Sequence, residues 1–168
     1  YSLRVRPLTG VEGGEFRLLV VEQAARDYPK GPSLVVGETQ TGSLNGQSPL
    51  DDDEARYAPY SWTAQAGERV ALRLSSEDFD ALLSLGQITN GRYVELDSND
   101  DDGGGLDSHL IFTAPTASTY YIKALSTDPR AEGGFELIME QGPKAAEVRN
   151  LAFDETVDGS LSDSTGLG

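Results

Sequence analysis

The chain has no cysteine, and only one histidine, one tryptophan and one methionine among its 168 residues. Without thiols there is no disulfide framework, no thiolate metal site and no cysteine nucleophile, although the compartment stays open. Basic side chains are also scarce: 13 Lys and Arg stand against 28 Asp and Glu, for a formal charge of −15. Such a surface repels phosphate, which argues against nucleic acid and anionic lipid as partners and favours cations. No apolar run approaches the roughly 18 residues of a membrane-spanning helix. No basic leader precedes the strand-like segment at Tyr1, so no signal peptide is expected there, and a start on Tyr rather than Met gives the expectation of a window cut from a longer chain. Nowhere does a 3.6-residue apolar period persist over three turns, so helix is expected to be scarce.

What is present is alternation. Val70, Leu72 and Leu74 alternate with Arg69, Ala71 and Arg73, the pattern of a half-buried strand. Tyr57–Gln65 with Trp62, Arg92–Leu96, Leu110 with Phe112, Tyr120–Ala124 and Phe135–Met139 read likewise, separated by Gly, Pro, Asn and Asp turns. Leu34–Leu50 reads as a strand ending in a turn, broken by the acids that follow. At the centre, SSEDFDALLSL (75–85) sets two acids around Phe79 ahead of an apolar run, and DSNDDDGGG (97–105) closes the unit. These features make an all-β domain.

The pattern also repeats. A shift of 119 positions places Tyr1 on Tyr120, Leu3 on Ile122, Gly14 on Gly133, Phe16 on Phe135 and Leu18 on Leu137; GETQTGSL at 37–44 returns as DETVDGSL at 154–161. The expected organisation is the last two strands of one copy plus a linker in 1–31, a complete copy in 32–143, and a linker with the first strand of a third in 144–168. A period of about 120 residues means tandem domains rather than a solenoid.

The motifs GSL at Gly42, DDDEARYAPYSW, AGERVALRLSSEDFDALLSL, NDDDGGG, DSHLIFTAP, STYYIKAL and EGGFELIME together make the stretch from about 36 to 141 resemble the bacterial pre-peptidase C-terminal domain. The resemblance implies a jelly-roll-like antiparallel β-sandwich, often in tandem, appended to secreted peptidases and surface proteins, with no catalysis of its own. It also implies similarity to the collagen-binding domains of clostridial collagenases, some of which hold calcium at acids near their first strands. The expected function is a non-catalytic, secreted, periplasmic or surface module of bacterial origin, acting in structure, adhesion or targeting. Its expected partners are neighbouring repeats or identical chains through open strand edges, or a protein or glycan ligand. The alternative is an accessory domain of a secreted peptidase, binding substrate or removed at maturation.

Two acidic sets are candidates for Ca2+. The first is Asp51, Asp52, Asp53 and Glu54 with Glu38 and Asn45; the second is Asp97, Asn99, Asp101 and Asp102. The second begins as an EF-hand but has Asp102 where the loop needs Gly and Ser108 where it needs Glu. In both sets the same residues also serve as turn formers, tying their own backbone. Tyr57, Tyr93 and Tyr121 are the candidate ligand surface, with Trp62 and Tyr120 assigned to the core. No catalytic residue is assigned: His109 has no nucleophile elbow near it, and Asp78 and Asp80 read as turn acids around a core Phe79.

Overall fold

A computed structural model describes residues 28–101 and 105–144. The expected repeat fragments, 1–31 and 144–168, lie outside the described residues except for 28–31 and 144, and Asp102 lies outside them as well. Eight strands follow in order: β1 Thr39–Leu44, β2 Tyr57–Ala64, β3 Arg69–Ser75, β4 Ala81–Thr89, β5 Arg92–Asn99, β6 Ser108–Thr113, β7 Ser118–Ser126 and β8 Gly133–Gln141. No helix occurs among the described residues.

The strands pair as nested antiparallel hairpins: β1 with β8, β2 with β7, β3 with β6 and β4 with β5. Two further pairings, β3 with β8 and β4 with β7, roll the nest into sheets ordered β1-β8-β3-β6 and β2-β7-β4-β5. This is the two-sheet strand order of an eight-stranded jelly roll. The all-β, jelly-roll-like sandwich expected from the sequence is the observed fold.

Alternation places the core between the sheets. Leu72, Leu74, Leu83, Leu85 and Leu137 are fully buried, each contributing on the order of 1.5–3 kcal/mol of burial. Tyr120 lies between Trp62 and Phe112, at centroid separations of 5.6 and 5.3 Å. Its hydroxyl donates to the Thr116 carbonyl at 2.8 Å, so the polar end is satisfied inside the core. Phe79 and Tyr60 both meet the ring of Phe135 edge-on. As expected, Phe79 fills the core, and Asp78 Oδ2 accepts the Gly134 amide at 2.7 Å. Asp80 differs: its carboxylate takes the Thr127 hydroxyl at 2.9 Å rather than an amide.

The apolar run at 81–85 is longer as a strand than the sequence suggests. β4 continues through Gly86 to Thr89, then turns at Asn90 (φ 53°) and Gly91 (φ 71°) into β5. Asn-Gly with both residues at positive φ is the favoured two-residue hairpin turn. Gly86 is required by a close approach, since a Cβ there would lie 2.3 Å from the Val94 carbonyl oxygen and 2.7 Å from the Tyr93 ring. Tyr93 thus lies across the outer face of the second sheet.

Candidate functional site

On that outer face, register places Pro59, Lys123, Ser84 and Ser98 in one cross-strand row. Lys123 therefore sits on the inner strand β7, flanked on both sides, where a lysine would ordinarily face water. Instead it is only 7% exposed. Its ammonium lies 4.0 Å from the Tyr93 ring centroid and 5.1 Å from that of Tyr57. Cation–π contacts of this kind reach about 2 kcal/mol when desolvated.

The β1–β2 connection brings the counter-charge. Asp51 Oδ2 stands 3.7 Å from Lys123 Nζ, with the two side chains 12% and 9% exposed. Asp51 Oδ1 accepts the amides of Asp53 at 3.0 Å and Ala55 at 2.9 Å, which holds the turn in place. The Tyr28 hydroxyl donates to Asp52 Oδ2 at 3.3 Å, and its ring centroid lies 6.3 Å from that of Tyr93. Ser84 donates to Glu95 Oε2 at 2.6 Å and shares a 2.8 Å hydrogen bond with the Tyr93 hydroxyl. Asp51, Asp52, Asp53, Glu95, Ser84 and Lys123 border a cavity of about 360 Å3.

Burial pushes the Lys123 ammonium below its ordinary pKa, opposed by the charges of Asp51, Asp52 and Glu95. Burial pushes the Tyr93 phenol well above 10.0; the Glu95, Tyr57 and Asp51 charges add to this and the Ser84 hydrogen bond opposes it. Tyr93 ionises later in the folded chain than in the unfolded one, so its contribution to stability is complete below pH 10.0 and is lost as pH rises beyond it. Denaturant titrations above pH 10 are expected to show falling stability, less steeply in Tyr93→Phe.

The structure brings together much of what the sequence singled out. Tyr57, Tyr93 and Tyr121 gather with Tyr28 and Lys123 on one face. Tyr57 departs from expectation: it is 4% exposed, covered in its own cluster, and is no exposed contact residue. Asp51, Asp52 and Asp53 reach the cavity. Glu54 occupies the turn at φ 63°, Glu38 is exposed ahead of β1, and Asn45 closes the turn after β1 by accepting the Gln47 amide at 2.9 Å.

Among the described residues no three Asp, Glu or His side chains form a group able to hold a metal. The first acidic set does not fit a calcium cage as placed, because Asp51 is occupied by two amides and an ammonium. In the second set, Asp97 accepts the Ser98 amide, and Asn99 both accepts the Asp101 amide and donates to the His109 carbonyl at 2.7 Å. Asp101 is exposed and Asp102 lies outside the described residues. His109 lies opposite Arg73 on β6, and the neighbouring Ser108 hydroxyl donates to the Asn99 carbonyl.

Lys123 is the residue sequence reading passed over. In TYYIKAL it stands between Ile122 and Ala124 and reads as the solvent side of an alternating strand.

Residues 57–126, from β2 to β7, match the family model of the bacterial pre-peptidase C-terminal domain, the family whose motifs the sequence resembles. The pre-peptidase C-terminal domain of the Bacillus anthracis collagenase is similar in structure at 16% identity and a TM-score of 0.48, covering 68% of this chain and 100% of its own. PliG of Aeromonas hydrophila, a periplasmic inhibitor of g-type lysozyme, follows at 14% identity and 0.45, covering 66% and 95%. PliG of Salmonella Typhimurium aligns at 20% identity and 0.44, covering 67% and 98%. No curated protein matches the chain.

Proposed function

We propose that this chain is a non-catalytic β-sandwich module of a larger secreted or surface bacterial protein, acting in structure or adhesion by pairing its open strand edges with a neighbouring copy. The observation that carries this reading is the β5–β6 side of the sandwich. β5 and β6 each end a sheet, and Val94, Leu96, Leu106 and Ile111 are exposed along or between them, from 38% to 57%. The opposite side is better protected: residues 32–34 run beside β2, with Leu34 and Ser61 amides bonded to the Ser61 and Pro32 carbonyls. Unpaired strand edges with apolar side chains recruit further strands unless charge or cover blocks them.

The family match over 57–126 supports a module of this kind, and the same match supports the alternative of an accessory domain serving a secreted peptidase. Light scattering of the 168-residue chain across a concentration series separates them. We expect a mass rising well above 18.0 kDa, suppressed by Leu96→Lys, which places a charge on the β5 edge. A constant monomer mass for both proteins favours the accessory domain.

A further inference from the structure

We propose that Lys123 and Asp51 join in an intramolecular amide bond, Nζ to Cγ, which staples β7 to the β1–β2 connection. Both side chains are mostly buried, at 9% and 12% exposure, unlike the partners of an ordinary surface ion pair. Lys123 Nζ stands 3.7 Å from Asp51 Oδ2, which places the amine beside the carboxyl group it attacks. Asp51 Oδ1 already accepts two backbone amides, from Asp53 and Ala55 at 3.0 and 2.9 Å. Those donors are placed where negative charge develops when an amine adds to Cγ, the arrangement that stabilises tetrahedral intermediates in acyl transfer. Oδ2, on the lysine side, is the oxygen that leaves.

The Tyr57 and Tyr93 rings wall the ammonium, and burial favours the uncharged, nucleophilic amine. The step balances without a co-reactant. The ammonium gives one proton to Oδ2, the neutral amine attacks Cγ, and a second proton passes from Nζ to Oδ2. The Nζ–Cγ bond forms, the Cγ–Oδ2 bond breaks, and one water leaves; nothing is oxidised or reduced. The product links positions 51 and 123 across strands that otherwise meet through non-covalent contacts.

Intact-mass spectrometry of the full chain under denaturing conditions, followed by peptide mapping, tests this. The expected mass is one water below that of the sequence, with a branched peptide joining the segment that holds Asp51 to the one that holds Lys123. Lys123→Arg and Asp51→Ala are each expected at the full mass of their own sequences. A wild-type chain at full mass, with linear peptides through both positions, overturns the proposal. So does a water deficit that persists in Lys123→Arg, because Asp102-Gly103 and Asp158-Gly159 can lose water as cyclic imides without any lysine.

Discussion

Phe79→Ala is expected to remove about 4 kcal/mol of stability, within the range of about 3–5 kcal/mol for truncating a buried phenylalanine. The ring is 7% exposed and meets Phe135 edge-on at 6.4 Å, and Phe135 in turn packs edge-on against Tyr60. Removing Phe79 therefore opens a void at the closed end of an aromatic group to which both sheets contribute. The surrounding backbone cannot collapse into the void freely, because Asp78 and Asp80 fix the segment on either side through Gly134 and Thr127. A loss of this size is a large fraction of the roughly 5–15 kcal/mol that holds a domain folded. Urea denaturation should show a much lower midpoint with little change in slope, and Phe79→Leu should recover most of the loss. A cost below about 1 kcal/mol for Phe79→Ala would mean that the ring is not packed as described.

Asp51→Ala is expected to cost about 3–4 kcal/mol or more, because it leaves the Lys123 ammonium buried and uncompensated and also removes the proposed 51–123 link. Two effects combine in that variant. Oδ2 no longer faces Lys123, and Oδ1 no longer holds the amides of Asp53 and Ala55. In the unlinked chain Asp51→Asn separates them, since its amide oxygen can keep the turn while the charge is gone; it should cost roughly half as much. The double variant Asp51→Ala/Lys123→Met should be more stable than Asp51→Ala alone, because no buried charge remains to be compensated. Thermal or denaturant unfolding of the wild type, Asp51→Ala, Lys123→Met and the double variant forms a double-mutant cycle, and purely additive losses would show that the two side chains are energetically independent.

The elements that the sequence disclosed are those whose faces differ. β3 alternates Val70, Leu72 and Leu74 against two arginines, and β8 alternates Phe135, Leu137 and Met139 against Glu136 and Glu140; a one-residue slip would bury charge, so the register is written into the pattern. β4 was harder to delimit. Gly86 interrupts its apolar run and looks like an end, whereas the glycine is there to admit the Tyr93 ring, and the Asn90-Gly91 turn that extends the hairpin lies beyond it.

The site was legible only in parts. Asp51–Asp53 and the tyrosines were recognisable as unusual, yet nothing local connects them. Lys123 lines the same cavities as residues from the segment before β1, from the β1–β2 connection, and from β2, β4 and β5, and only the rolled nest of hairpins brings these together. For the same reason Tyr57 looked like a surface residue: its cover comes from distant segments. The segments matched to neighbouring repeats at both ends fall largely outside the described residues, so tandem organisation stays an expectation from the sequence.

Whether copies of the chain pair through the open β5–β6 side can be read from amide hydrogen exchange at increasing protein concentration. With such pairing, the β5 and β6 amides facing away from their sheets gain protection as concentration rises. Amides of β7, bonded on both sides to β2 and β4, should stay equally protected throughout. Exchange along β5 and β6 that is fast and independent of concentration would contradict the account and turn attention to the Lys123 face as the working surface.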